Sequence, residues 1–313
     1  NYSQIFQIPP DNDDSSVNIA LGQRIYASEL VNEEIKQKWY KHNFHIKGYY
    51  DKVKQYSYNP FLNNTIDTRT YYAFSKFFNY LKQNNRTETS YFFTTWILDF
   101  SEEKKDVMYI PLHVNNVDVS VNANILYGLN NFLIWEQNIT LIEDVFDQKL
   151  QNMYILSAEL IHYVLQNNLT ETHPDIIMLY YPSINDFYWF IARNVYLLNS
   201  FQPKKDYKVI NQARQILTEA MRKYVTPKII SEMKKDDKDN SYWDQFLGNY
   251  ANKTRGEDRN FATIMNLNAI IDSWTIGDKK ERSYIKETTK ELKQIIKTEF
   301  KIYFKKTLSI III

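Results

Sequence analysis

The sequence predicts an all-α fold. Three observations carry that expectation: apolar residues recur at helical spacing through most of the 313 residues, strand-like runs are few, and the connections are short and polar.

The elements follow in order. "IPPDNDDSSVNIALG" (8–22) sets two prolines before Asp11, Asp13, Asp14 and Ser15. Carboxylates and hydroxyls there accept from the orphan amides of a helix start and suit its positive end. Val17, Leu21, Ile25 and Ser28 continue as one stripe. Helices are expected at about 31–42 and 69–82. "DVMYIPLHV" (106–114) is the best strand candidate, and Pro111 interrupts it. "VNANILYGLNNFLIWEQ" places Ile125, Leu126, Leu129, Phe132 and Leu133 at helical spacing beside Trp135. Gly128 inside that pattern predicts the close approach of another helix. Asp118, Asn122 and Asn124, on its first turns, can cap neighbouring turns or line a mouth. Further helices are expected at about 150–167, 183–199, 207–223 and 258–275, with Ser183 as an N-cap and Asp186 three residues on. "YIKETTKELKQIIKTEFKIYF" (284–304) turns Ile285, Leu292, Ile296 and Tyr303 inward and its lysines outward.

No Gly/Ser or Pro tract marks a boundary, and 231–243 reads as a charged loop. The expected organisation is an N-terminal extension (1–10), one helical domain (11–306) and an apolar tail (307–313).

Composition excludes several functions. The net charge of +1 supplies no field to recruit nucleic acid or an anionic membrane. Without cysteine there are no disulfides, thiol nucleophiles, Cys-type zinc sites or iron–sulfur clusters. The six glycines never fall within seven positions of one another, so no phosphate-cradling loop exists. Neither G-x-S-x-G nor H-E-x-x-H occurs. His42 and His45, at i and i+3, could share a helix face, but two ligands make no site. No cofactor or metal is expected. No apolar run reaches about 18 residues, so no membrane span is expected. The abundance of Asn, Lys, Ile, Tyr and Phe follows AT-rich codon usage, which fits an AT-rich eukaryotic genome.

The chain starts at Asn1 rather than Met, which is compatible with a removed signal peptide. Six N-x-[ST] sequons occur, and Asn63, Asn85, Asn168 and Asn252 lie in polar, loop-like sequence. Those four, with Asn138, are the expected N-glycan sites of a secreted or cell-surface protein.

Asp11, Asp13 and Asp14 form a D-x-D-D run followed by serines. It resembles the acid motif of class II terpenoid cyclases. "FFTTWILDF…VNNVDVSVNANILYGL" (92–129), "YYPSINDFYWFIARNVY" (180–196) and "NFATIMNLNAIIDSW" (260–274) resemble segments of uncharacterised proteins in the terpenoid-cyclase-like (squalene cyclase/prenyltransferase-type) superfamily. The resemblance implies an α/α toroid, complete or partial, with alternating inner and outer helices. It also implies a proton-donor role for Asp13, with Asp11 and Asp14 holding it protonated, provided it faces a dry aromatic cavity. A diphosphate-binding acidic run is missing, because "KKDDKDN" (234–240) is lysine-rich. Two readings follow. In the favoured one the chain is a non-catalytic structural or filament-forming subunit. Its sticky ends, "NYSQIFQIPP" and "TLSIIII", mediate self-association or bind a partner chain. The alternative is an enzyme using cyclase-type acid catalysis or acting on glycans.

Overall fold

The structure is a computed structural model describing residues 8–42, 45–62, 66–99, 102, 109–110, 114–181, 183–237, 240–245, 256–277 and 282–297. The fold is mostly α-helical, as the periodicity predicts. It divides into two compact units: Asn1–Tyr180 with Gln202–Ile216, and Tyr181–Phe201 with Leu217–Ile313.

The first unit opens with α1 (Asn12–Ala27), α2 (Glu33–His42), α3 (Ile46–Gln55) and α4 (Thr68–Gln83). An extended, buried stretch at 91–98 then bridges to Tyr58 and Asp11. It leads to α5 (Val119–Trp135), α6 (Ile139–Val145), α7 (Gln148–Gln166), α8 (Leu169–Thr172) and α9 (Pro174–Ile177). Helix α5 is apolar all round apart from its asparagines, and it is the buried centre of this unit. Helix α1 runs along it.

The face that α1 buries corrects the expected one. Leu21 is 58% exposed, whereas Asn12, Ser16, Ile19, Ala20 and Gln23 are buried. Small side chains allow two helices to approach closely, and that approach selects Ser16 and Ala20 over the larger apolar stripe. Gly128 behaves as predicted: a Cβ there would stand 2.7 Å from the Ser16 carbonyl oxygen. Gly22 serves the α1–α2 packing in the same way, because the Trp39 indole lies where its side chain would be.

The second unit contains α10 (Ile184–Ser200), α12 (Thr226–Ser231) and α13 (Gly256–Trp274). Helix α11 (Lys208–Ala220) leads into this unit through a π turn at Met221–Val225. Pro227 lacks an amide and its ring would strike the carbonyl four residues back, so the wider turn keeps the helix running past the expected end at 223. Helices α10 and α13 pack together. Short antiparallel hairpins, β1 (Lys234–Lys235) with β2 (Ser241–Tyr242) and β3 (Thr275–Gly277) with β4 (Arg282–Tyr284), interrupt the helices. Thus 284 closes a strand, and the last helical stretch described is 290–297, with Ile285, Leu292 and Ile296 buried. Most of the expected strand at 106–114, the tail at 307–313 and residues 1–7 lie outside the described residues.

Candidate functional site

The start of α1 answers the question its carboxylates pose. Asp11 has extended backbone and is the N-cap, its Oδ1 accepting from the Asp13 amide at 2.7 Å. Its carbonyl accepts from the Ser15 amide, and its backbone bridges to Trp96. Burial pushes its carboxyl up to about 6, helped by the neighbouring Asp13 and Asp14, against the pull of the capped amides. Asp14 points to solvent, while Asp13 is 4% exposed.

Behind the cap, Asn12 gives its Nδ2 to the Thr94 carbonyl and takes a hydrogen bond from the Tyr49 hydroxyl. Tyr49 also bonds Ser16 at 2.9 Å, and its hydroxyl is held far above its usual range by burial. A cavity of about 40 Å³ in this unit is lined by Tyr56, Tyr58, Thr94, Asp99 and Asn115 among others, and Asp13 is not in its lining.

The same logic recurs at α5. Asp118 is fully buried, caps the helix through the amides of Ser120 and Val121, and takes two more hydrogen bonds from the amides of Leu179 and Tyr180. Burial raises its carboxyl, and the Ser120 hydroxyl with these amides opposes the rise. Asn122 bonds the carbonyls of Phe93 and Asp118 and accepts from Ser157, so it ties three segments together. Asn124 is buried too. Of the two expected uses of these residues, capping and tying are what Asp118 and Asn122 perform; buried as they are, none of the three lines an open mouth.

Sequence reasoning missed Asn115, whose side chain accepts from the amides of Trp96 and Asn116 and donates to the carbonyls of Trp96 and Leu98. It also missed Tyr49 and Tyr50. All three act on partners far along the chain, and the "NNVD" run beside Asp118 was the only local hint.

In the second unit, Ser183 caps α10 by accepting from the Asp186 amide at 3.4 Å, as expected. Its hydroxyl and Asn185 both donate to Gln245. Burial lifts Asp186 to about 6, and Arg193 partly opposes it. Asp272 accepts from the Trp189 indole and from Arg282, an unforeseen ion pair between a buried carboxylate and an exposed guanidinium.

Among the expected glycan sites, Asn85 and Asn168 are exposed and have left-handed backbone, with φ of 55° and 54°. Each follows a helix C-cap. After α4, the Asn85 and Arg86 amides bond the carbonyls of Lys82 and Leu81, a Schellman closure. Asn168 gives its amide nitrogen to Glu171, and the sequon hydroxyl of Thr170 is buried. Asn138 is exposed but spends its Oδ1 capping α6 on the Leu141 amide. Asn63 and Asn252 lie outside the described residues.

His42 ends α2 and His45 precedes α3, so they do not share a helix. No cluster of three metal-ligating side chains occurs among the described residues, and no helix there is long and apolar enough to cross a membrane. Comparison of the chain with models of protein families, with characterised proteins and with solved structures found no match.

Proposed function

We propose that the chain is a non-catalytic, secreted or cell-surface glycoprotein built on a terpenoid-cyclase-like α/α toroid, which works by assembling with copies of itself or with a partner. The observation that carries the non-catalytic part is the use made of the D-x-D-D run. Asp11 caps α1 through the Asp13 amide, and Asp14 faces solvent. Capping therefore accounts for Asp11, and the positive helix end for Asp14, without proton transfer. The exposed, left-handed Asn85, whose side chain bonds nothing among the described residues, supports the glycoprotein part. The burial of Asp13 favours the other reading, acid catalysis on an isoprenoid or a glycan, because a carboxyl removed from water is easier to keep protonated.

One preparation of the native protein tests both. N-glycosidase treatment is expected to lower the mass and to convert Asn85 to Asp in the peptide map. An unchanged mass overturns the glycoprotein reading. Separately, Asp13→Asn is expected to leave no chemistry missing when polyprenyl and oligosaccharide substrates are incubated with both forms. A product made by the natural protein and lost in the variant establishes the enzyme instead.

A further inference from the structure

Among the described residues, most buried polar side chains near the start of α1 are bonded within the chain, but three are not. The Asn116 side chain, 2% exposed, has no partner at either its oxygen or its nitrogen. The Thr95 hydroxyl, at 1%, and the Tyr50 hydroxyl, at 0%, have none either. Thr95 and Asn116 are neighbours. The Thr95 amide donates to the Asn116 carbonyl at 3.0 Å, and the Thr95 carbonyl accepts from Asn12, the first residue of α1, at 2.9 Å. Tyr50, by contrast, packs against Tyr49 and against Phe132 near the far end of α5. Elsewhere the unpartnered atoms not explained by other contacts are single ones, such as Asn131 Oδ1, whose amide nitrogen still bonds the Tyr127 carbonyl.

We infer that the interior at the start of α1 binds ordered water, held by the Asn116 amide and the Thr95 hydroxyl. A hydroxyl and an amide supply both donors and acceptors, and a buried water makes about three hydrogen bonds, so the groups suit one molecule. Buried polar groups in folded proteins are almost always satisfied by protein or by water, and an amide with both ends unbonded is the strongest demand in this unit. A neutral ligand fits better than an anion, because Asp11 already occupies the helix start and Asp13 lies beside it. The inference goes beyond the functional reading and bears on it. Cyclase-type acid catalysis needs a dry cavity, since water captures carbocations, and a hydrated start of α1 removes that condition.

The sign of a stability change tests it. Thr95→Val keeps shape and removes the hydroxyl. If that hydroxyl holds water, the variant unfolds at lower urea concentration, with the unfolding constant raised about five- to tenfold. If it is merely unsatisfied, removing it leaves the midpoint equal or raises it, and the inference is overturned. Oxygen-17 relaxation dispersion of the natural protein supplies the direct reading. Long-lived internal water is expected, with fewer such molecules in Thr95→Val and in Asn116→Leu. An identical dispersion in Thr95→Val overturns the inference even where Asn116→Leu fails to fold.

Discussion

The two units each centre on a pair of packed helices, α1 with α5 and α10 with α13, and they are built from opposite materials. The first pair is specified by what is absent. Gly128 meets Ser16 backbone to backbone, and the polar groups around them are short carboxamides and carboxylates that bind main-chain amides and carbonyls. The second pair is specified by bulk. Trp189 and Trp274 on its helices, and Trp243 beside α13, each spend their indole N–H on one acceptor: Asp272, Thr226 and the Ile229 carbonyl. Arg193 and Arg282 lie over the rings of Trp189 and Tyr196. The contrast teaches that close approach and aromatic filling are alternative routes to one well-ordered helix pair. They should fail in different ways.

Bulk fails through cavities. Trp243→Ala, at a site 2% exposed, empties the largest fully buried side chain and orphans the Ile229 carbonyl. It should cost about 4 kcal/mol in urea unfolding. Hydrogen exchange should lose protection in 256–274 ahead of 119–135. Close approach fails through intrusion. Gly128→Val forces atoms into the Ser16 backbone, and a loss of about 3 kcal/mol is expected. Here the order of lost protection reverses. Equal losses in both helices from either variant would erase the distinction.

Asp118→Ala sharpens the first half of the comparison. It strands the amides of Ser120, Val121, Leu179 and Tyr180 and should cost about 2–3 kcal/mol, well beyond an ordinary cap. Ser183→Ala, the corresponding cap of α10, should cost only about 1 kcal/mol. Matching values from thermal melts would mean that Asp118 does no more than cap.

The smallest effect is a pH slope common to both units. Asp11 and Asp186 each sit at a helix start, and burial lifts each to about 6. The folded chain then holds these protons more tightly than the unfolded chain, whose carboxyls titrate near 4. Their contribution is complete below about pH 4 and is lost as the pH rises through about 6. Asp186→Asn should therefore flatten the decline of the urea midpoint across that window, and a slope unchanged by the substitution would show that its carboxyl titrates normally.

The helices were legible because periodicity is local: 69–82, 150–167 and 183–199 each fall within two residues of α4, α7 and α10 at both ends. Local chemistry also gave the caps at Asp11 and Ser183 and the close approach at Gly128. The face of α1 was not legible, because Leu21 outweighs Ser16 in any hydrophobic pattern, while the choice between them is made by a helix more than 100 residues away. Helix α3 was missed because Gly48 and three lysines dilute its pattern, although it buries Ile46, Tyr50 and Val53. The polar neighbourhood at the start of α1 was invisible for the same reason. Asn12, Thr95 and Asn116 meet only after the chain has closed loops of about 20 and 80 residues.

The left-handed asparagines have a consequence for how sugar sites arise. A helix that ends in a left-handed residue normally takes glycine there, and this chain has six glycines against thirty-one asparagines. Where codon supply disfavours glycine, asparagine inherits the stop position, and a threonine two residues on turns that stop into an acceptor for N-glycosylation. Asn85 and Asn168 are both such stops. These two sequons then stand at helix ends as a by-product of punctuation, and Asn85→Gly would remove the acceptor while leaving the full stop in place.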